Sequence, residues 1–241
     1  GQPPLLRGPL AEGERPASPP PEQAELEAAR AAGLPFLPAL PEEVLRLARG
    51  FVRQGWAHVE RLGIAHEALE AVQAEVSRLD AEMVPGQRKG DTYSFRTDRR
   101  VFFDTSSERR REDIPALNWL VDTLQGFASV LGSQLARSPM RLRLQGRCRP
   151  MLAIYESHGH YVPHVDNGDG DGRVLTLVYY LNPCWTDDDG GHLRLYPEAE
   201  RRALSQGIGD DESVVEVPPR EDGLALFRAD RMVHEVRPAE R

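Results

Sequence analysis

Cysteine is scarce in this chain. Only two occur among the 241 residues, Cys148 and Cys184, and they form neither a C-x-x-C pair nor the spacing of a zinc finger. This scarcity excludes a disulfide framework and a cysteine-based zinc site, and it favours a reducing compartment. We therefore expect the protein in the cytoplasm or the nucleus.

Long apolar runs and an excess of positive charge are also missing. No stretch approaches the roughly 18 consecutive apolar residues of a membrane helix, so we expect no membrane partner. Asp and Glu number 38 against 30 Lys and Arg, which gives a net charge of −8. This balance argues against general nucleic-acid binding, which needs clustered cations to neutralise phosphate. Arginines at 96–111 are interleaved with acids, and we interpret that segment as a solvated loop.

Proline is abundant but unevenly placed, because ten of the 20 prolines fall within the first 41 residues. Such a segment buries too little apolar surface to offset the entropy lost on ordering. We predict a disordered, proline-rich linker over residues 1–38. The remaining residues, 39–241, suffice for one domain with a sizeable core, which we expect to be a monomer.

Helical patterns come first in this domain, and short strands follow. Apolar residues at three- and four-residue spacing predict helices from about Pro41, within HEALEAVQAEVSRLDAEM, and most clearly from Leu117 to Leu135. After Pro139 come five β-like runs separated by turn signals: MLAIY, VLTLVYYLN, HLRLYP, SVVEV and GLALF. This order predicts a mainly β core supported by helices rather than an alternating α/β sheet.

A histidine and an aspartate two residues apart, His164 and Asp166, suggest a metal site. Residues i and i+2 of a strand point to the same face, so both side chains can reach one ion. The third ligand is His234, which follows GLALF and a turn and should lie at the start of a strand. Two histidines and one carboxylate leave three octahedral positions open, as in non-haem Fe(II) oxygenases. A zinc hydrolase could use the same three ligands with water in the fourth place.

Less specific interpretations apply to the same stretch. A His-x-Asp pair alone is often only the polar end of a strand. The next residues fit the first half of a calcium loop (Asn167, Asp169, Asp171 and Gly172), but Val178 occupies the twelfth position, where a bidentate Glu is needed. The calcium interpretation is therefore poor. His58 and His66 fall on stretches with helical patterns and are expected as surface or capped side chains.

Longer motifs surround the proposed ligands: MLAIYESHGHYVPHVDNGDGDGRVLTLVYYLNPCW, GGHLRLYPE and DRMVHEVRPA. Together they resemble the catalytic domain of the hypoxia-sensing (EGLN-type) prolyl 4-hydroxylases, strongly over residues 146–239 and more weakly over about 45–145. The resemblance implies a double-stranded β-helix, a jelly-roll-like barrel packed against N-terminal helices. It also implies an Fe(II)- and 2-oxoglutarate-dependent dioxygenase that hydroxylates a prolyl residue of a protein and releases succinate and CO₂.

The resemblance also assigns roles to individual residues. His164, Asp166 and His234 would ligate Fe(II), and O₂ would use an open position. Tyr155 and Tyr180 would hydrogen-bond the cosubstrate 2-oxoglutarate, although both could equally be aromatic core residues with satisfied hydroxyls. Ascorbate would serve as the reductant.

The partner implied is a protein substrate with an extended, proline-containing segment. Tyr161 and Arg173 match positions beside the substrate proline. Two alternatives remain open: a non-catalytic metal-binding interaction module on the same barrel, and a cupin-like metal enzyme that does not use 2-oxoglutarate. Tyr155 and Tyr180 favour the dioxygenase over the cupin-like enzyme.

Two positions depart from the resemblance. His160 stands where the family usually has glycine. The family also places an arginine nine residues after the distal histidine, where it pairs with 2-oxoglutarate, whereas Arg241 is seven residues after His234. We therefore expect residues 39–241 to be truncated before the last strand, with a basic residue at about position 243 of the natural protein.

Overall fold

The computed structural model describes residues 40–86, 95–105, 107–168, 170–197 and 214–240. The predicted linker at 1–38 lies outside these ranges, and so do Asp169 and Arg241. The predictions about the linker, the first half of the calcium loop and the end of the chain therefore stay predictions.

The helices are α1 (Leu40–Gln54), α2 (His66–Leu79), α3 (Glu108–Asp113) and α4 (Pro115–Arg137). Helix α4 starts with proline, which fits the first helical position because the amide N–H there has no partner within the helix. Helices α1 and α2 both contact α4. The side chains of α4 that are buried include Leu117, Leu120, Phe127, Leu131 and Leu135, so the predicted apolar face is the one that packs.

The described residues contain ten strands: β1 (Trp56–Val59), β2 (Val84–Pro85), β3 (Arg99–Phe102), β4 (Met151–Ile154), β5 (Tyr161–His164), β6 (Leu175–Tyr179), β7 (Leu193–Tyr196), β8 (Val215–Val217), β9 (Leu224–Arg228) and β10 (Val233–Val236). They form three antiparallel sheets, ordered β1-β9-β6, β5-β10-β7-β8 and β2-β3-β4. The predicted mainly β core with helical support is confirmed.

Strand β9 separates two apolar cores through the alternation of its side chains. Leu224 and Leu226 pack in the core shared with the helices. Ala225 and Phe227 point to the opposite side, into a smaller core that includes Leu195 of β7. Because successive residues of a strand face opposite sides, a fully apolar strand can be buried on both faces. The smaller core therefore lies between the first two sheets, on the side where the proposed ligands are found.

Two segments differ from the sequence-based predictions. His58 lies in strand β1, opposite Ala225, and not on a helix; its Nε2 atom is buried. The segment at 96–111 is not simply a solvated loop, because it contains β3 and a buried ion pair between Arg96 and Asp98, which are 8% and 1% exposed. Both errors arose where the burial of a polar segment depends on chain far away in sequence.

Among the residues that the structure describes, no helix is both long and apolar enough to cross a membrane.

Candidate metal centre

Three ligand atoms from His164, Asp166 and His234 lie within 4.8 Å of one another. His164 ends β5 and stands directly opposite His234 in the antiparallel pairing of β5 with β10. The Nε2 atoms of the two histidines are 3.6 and 3.8 Å from Oδ1 of Asp166. Asp166 itself is in a turn after β5, so the expected i, i+2 strand geometry is wrong. The three side chains nevertheless converge.

Backbone carbonyls determine which nitrogen of each histidine faces the site. Nδ1 of His164 is 2.9 Å from the carbonyl oxygen of Val162, and Nδ1 of His234 is 3.0 Å from that of Met232. A carbonyl oxygen can only accept a hydrogen bond, so each Nδ1 must carry the proton. Both Nε2 atoms then present lone pairs towards Asp166. This arrangement fits a divalent metal, because a hydrogen bond at the other ring nitrogen is typical of metal-binding histidines.

The charges in the site also suit a metal. Burial alone would raise the pKa of Asp166, but the neighbouring imidazoles of His164 and His234 and the hydrogen bond from Thr176 hold that pKa well below its usual range. Thr176 Oγ1 donates to Asp166 Oδ2 at 2.5 Å. Burial, reinforced by His164, lowers the pKa of His234 to about 4. At neutral pH the site thus contains an ionised carboxylate and a neutral His234, both ready to ligate.

Tyr161 packs against the first histidine. Its ring stacks on that of His164, with centroids 3.6 Å apart and planes inclined by 19°. The Arg96 guanidinium also lies over the Tyr161 ring, 4.3 Å from its centroid. Arg96 in turn donates hydrogen bonds to both carboxylate oxygens of Asp98, at 2.6 and 2.5 Å. Arg96 and Asp98 were missed in the sequence, where their segment is merely polar. The structure thus places Tyr161 beside the proposed metal ligand His164 and in cation–π contact with the Arg96 guanidinium.

Of the two tyrosines predicted to bind 2-oxoglutarate, Tyr180 packs against the smaller core, whose Phe227 contacts the ring of His234. Burial raises the pKa of Tyr155 and of Tyr180 well above the usual tyrosine range, and Tyr155 contributes to the shift of Tyr180. Asp166 contributes to the shift of Tyr155. The hydroxyl of Tyr180 is buried and has no hydrogen-bond partner among the described residues. Such an orphaned donor in a buried site fits a ligand with acceptor oxygens.

Arg173 closes the turn that contains Asp166. Its guanidinium donates to the backbone oxygen of Asp166 at 2.5 Å and to the carboxylate of Asp171 at 2.7 Å. Asn167 accepts from the backbone N–H of Asp171 and donates to the carbonyl of Arg173. These internal bonds already occupy polar groups that a calcium ion would need. Arg173 is thus next to the metal ligands and about half exposed.

The fold and the metal site define a class of protein, and comparison with known proteins agrees. Residues 150–241 match the 2OG-Fe(II) oxygenase superfamily. This part of the chain is therefore similar to 2OG-Fe(II) oxygenase domains, and its antiparallel sheets resemble the double-stranded β-helix of that class. Thr176, which supports Asp166, is a further residue of the site that sequence motifs did not reveal.

Hypoxia-sensing prolyl hydroxylases are among the similar proteins, as the motifs predicted. The chain is 32% identical over 210 residues to the hypoxia-inducible factor prolyl hydroxylase of Caenorhabditis elegans, covering 83% of this chain and 26% of that protein. It is 35% identical over 131 residues to prolyl hydroxylase EGLN3 of Mus musculus, covering 53% of this chain and 48% of that protein. The chain thus spans about a quarter to a half of these relatives' lengths.

A solved structure extends the similarity to three dimensions. It shows a prolyl hydroxylase from Trichoplax adhaerens in complex with a peptide fragment of the hypoxia inducible factor oxygen degradation domain. The two folds superpose with a TM-score of 0.67 at 25% sequence identity, over 83% of this chain and 84% of that one. The similarity therefore includes the helices as well as the β core.

Proposed function

We propose that this chain is an Fe(II)- and 2-oxoglutarate-dependent dioxygenase that hydroxylates a prolyl residue of a protein and releases succinate and CO₂. The observation that carries the proposal is the convergence of His164, Asp166 and His234, with both Nε2 atoms directed at one carboxylate. Similarity to prolyl hydroxylases supports the choice of a prolyl target.

His164, Asp166 and His234 would hold Fe(II). Bound iron supplies the oxidising chemistry, while the protein provides ligands, orientation and a dry site. Tyr155 and Tyr180 would donate hydrogen bonds to the cosubstrate, and their raised pKa values keep both hydroxyls protonated. Thr176 keeps one oxygen of Asp166 engaged, so that the other faces the metal.

The substrate in this proposal is a protein with an extended, proline-containing segment. Tyr161 and Arg173 would lie beside that segment, because both contact metal ligands: the first through its ring and the second through a backbone oxygen. We further propose ascorbate as the reductant, and a monomer in the cytoplasm or nucleus. The exposure of the free thiols of Cys148 and Cys184 supports a reducing compartment.

The proposal is tested with Fe(II), 2-oxoglutarate and a library of extended proline peptides. We expect succinate release together with a peptide mass gain of one oxygen atom, located at proline by fragmentation. His164→Ala, Asp166→Ala and His234→Ala should each abolish both signals and weaken Mn(II) binding measured directly. His66→Ala, on the exposed start of α2, is the matched control and should retain both.

The outcomes separate the alternatives. Succinate formation that survives loss of any of the three ligands would overturn the proposed metal centre. Tight Mn(II) binding without any 2-oxoglutarate turnover would favour the interaction module or the cupin-like enzyme instead. Hydroxylation at a residue other than proline would retain the dioxygenase and reject the prolyl target.

A further inference from the structure

A long stretch of this acidic chain contains arginine but no acid. Residues 123–155 include no Asp or Glu, although the whole chain has eight more acidic than basic residues. The arginines within this stretch are Arg137, Arg141, Arg143, Arg147 and Arg149. Positive charge is therefore concentrated between the end of α4 and the start of β4.

The backbone of this stretch is anchored, and its arginines are directed outwards. Residues 141–145 alternate between exposed and half-buried side chains. Leu142 packs against the main apolar core, and Leu144 lies close to Gly132 of α4. Arg141 and Arg143, on the other side, are exposed. Arg141 and Arg143 are thus presented by a segment that Leu142 and Leu144 anchor to the core.

The four arginines at 141, 143, 147 and 149, here called the arginine strip, have no carboxylate partner among the described residues. Arg147 instead binds neutral groups, including Thr105 Oγ1, and Arg149 donates to the carbonyl oxygen of Phe102 at 3.3 Å. By contrast, Arg99 contacts the carboxylates of both Asp80 and Glu156. The strip therefore carries positive charge that the described part of the molecule does not neutralise.

The strip leads along the chain to the candidate site. It precedes β4, and the residue after β4 is Tyr155, which is predicted to bind 2-oxoglutarate. The strip is followed by β4, where Met151 is 45% exposed opposite Phe102, which is 46% exposed. Positive and apolar surface therefore adjoin at the start of β4.

We propose that the arginine strip binds an acidic segment of the protein substrate that flanks the hydroxylated proline, with Phe102 and Met151 contacting an apolar side chain of the same segment. The inference rests on the proposed function for its protein substrate. Single exposed ion pairs contribute little, but several like charges on a fixed segment favour an acidic partner and speed its association.

The test uses the protein loaded with Mn(II) and 2-oxoglutarate without turnover. Fluorescent peptides with a central proline carry Asp and Glu on one flank, or Asn and Gln at the same positions, and binding is followed by anisotropy. Each flank is tested separately. We expect one acidic peptide to bind about 5- to 20-fold more tightly than its amide counterpart. Arg141→Gln/Arg143→Gln should remove most of that preference, and Arg149→Gln part of it.

A matched control is Arg49→Gln/Arg53→Gln, which removes the same charge from the exposed side of α1. It should keep the preference for the acidic peptide. High salt should abolish the preference, because the screening length falls to about 3 Å at 1 M. An equal loss in the control variant, or no preference for either acidic flank, would overturn the proposal.

The remaining outcomes separate this inference from the proposed function. Hydroxylation of neutral and acidic peptides at equal rates and affinities would retain the dioxygenase and reject the strip. Strip-dependent binding of acidic peptides without hydroxylation would retain the strip and reject the prolyl hydroxylase. Equally tight, strip-dependent binding of a single-stranded oligonucleotide would reject the acidic peptide as the partner.

Discussion

Thr176 is a residue whose contribution depends on one hydrogen bond, to the outer oxygen of the Asp166 carboxylate. Thr176→Val keeps the shape of the side chain and removes the donor. Because outer-shell partners orient a ligand and tune its basicity, we expect Mn(II) affinity to fall by about 10-fold. Isothermal titration calorimetry would measure the Mn(II) affinity of both proteins.

Thr176→Ser is the control for this change, because it retains the hydroxyl while losing the methyl group. It should bind Mn(II) nearly as tightly as the unmodified protein. If the valine and serine variants bind the metal equally well, the hydrogen bond to Asp166 does not matter for ligation, and the side chain serves only to pack β6.

Removing the hydroxyl of Tyr180 should affect protein stability and 2-oxoglutarate binding in opposite directions. Its hydroxyl is buried without a partner in the described residues, so it is desolvated without compensation when no ligand is bound. Tyr180→Phe should therefore leave the free energy of unfolding unchanged or raise it by about 1 kcal/mol. The same substitution should weaken 2-oxoglutarate binding by roughly 1–3 kcal/mol if the hydroxyl meets a carboxylate.

Urea unfolding and 2-oxoglutarate titration of the Mn(II)-loaded protein provide the two readings. Loss of stability with unchanged 2-oxoglutarate affinity would mean that Tyr180 is an aromatic core residue and not a cosubstrate ligand. Because the expected effects have opposite signs, general damage to the fold cannot imitate them.

At the scale of elements, Asp222 joins the loop between β1 and α2 to the turn before β9. Its carboxylate accepts from the backbone N–H groups of Gly63 and Ile64, at 2.7 and 3.2 Å, and from the hydroxyl of Tyr179 at 2.8 Å. Asp222→Asn keeps the left-handed backbone conformation (φ 66°), which asparagine tolerates. It places an amide group where only acceptors fit, so we expect a loss of about 1–3 kcal/mol in urea unfolding.

The neighbouring Glu221→Gln provides the comparison for this substitution. It changes charge by the same amount in the same turn, and we expect it to alter stability by less than about 0.5 kcal/mol. Equal losses in the two variants would show that charge in the turn matters and that the hydrogen bonds of Asp222 do not.

Elements with their own periodic pattern could be predicted from the sequence, and elements determined by distant partners could not. Helix α4 and strand β9 followed from apolar spacing alone. Strand β1 is short and carries His58, so its pairing with β9 is visible only in the fold. Asp166 was expected on the strand, but β5 ends at His164. The three proposed ligands converge nonetheless, because the motifs predicted which residues meet even where they misjudged the backbone.

Arg96 and Asp98 show more clearly what could not be predicted from the sequence. A polar, charged segment is usually expected to be solvent-exposed. Arg96 is nevertheless buried, because its backbone forms an isolated β-bridge with Tyr161, some 60 residues away, and its side chain binds Asp98. The residues near Arg96 in the sequence do not indicate such a distant partner. Thr176 escaped notice for a related reason: only the turn after β5 brings Asp166 within its reach.

Across the whole molecule, the proposed metal ligands come from two different parts of the β core. Two ligands come from neighbouring strands, β5 and β10, and the third from the turn that Arg173 and Thr176 hold in place. Strand β6, which carries Thr176, belongs to a different sheet from β5 and β10. A bound ion therefore links the two sheets through Asp166, and unfolding must release it.

This linkage predicts that metal stabilises the folded protein as a whole. A ligand that binds only the folded state at a hundred times its dissociation constant adds about 2.7 kcal/mol to the free energy of unfolding. For a domain of this size, that corresponds to a rise of about 5–10 °C in melting temperature. We expect saturating Mn(II) to produce this rise in calorimetry. His234→Ala and Asp166→Asn should not share it: each variant should melt at the same temperature with and without Mn(II), whereas His66→Ala should keep the full increase. An equal Mn(II)-dependent rise in His234→Ala would place the stabilising ion elsewhere on the molecule.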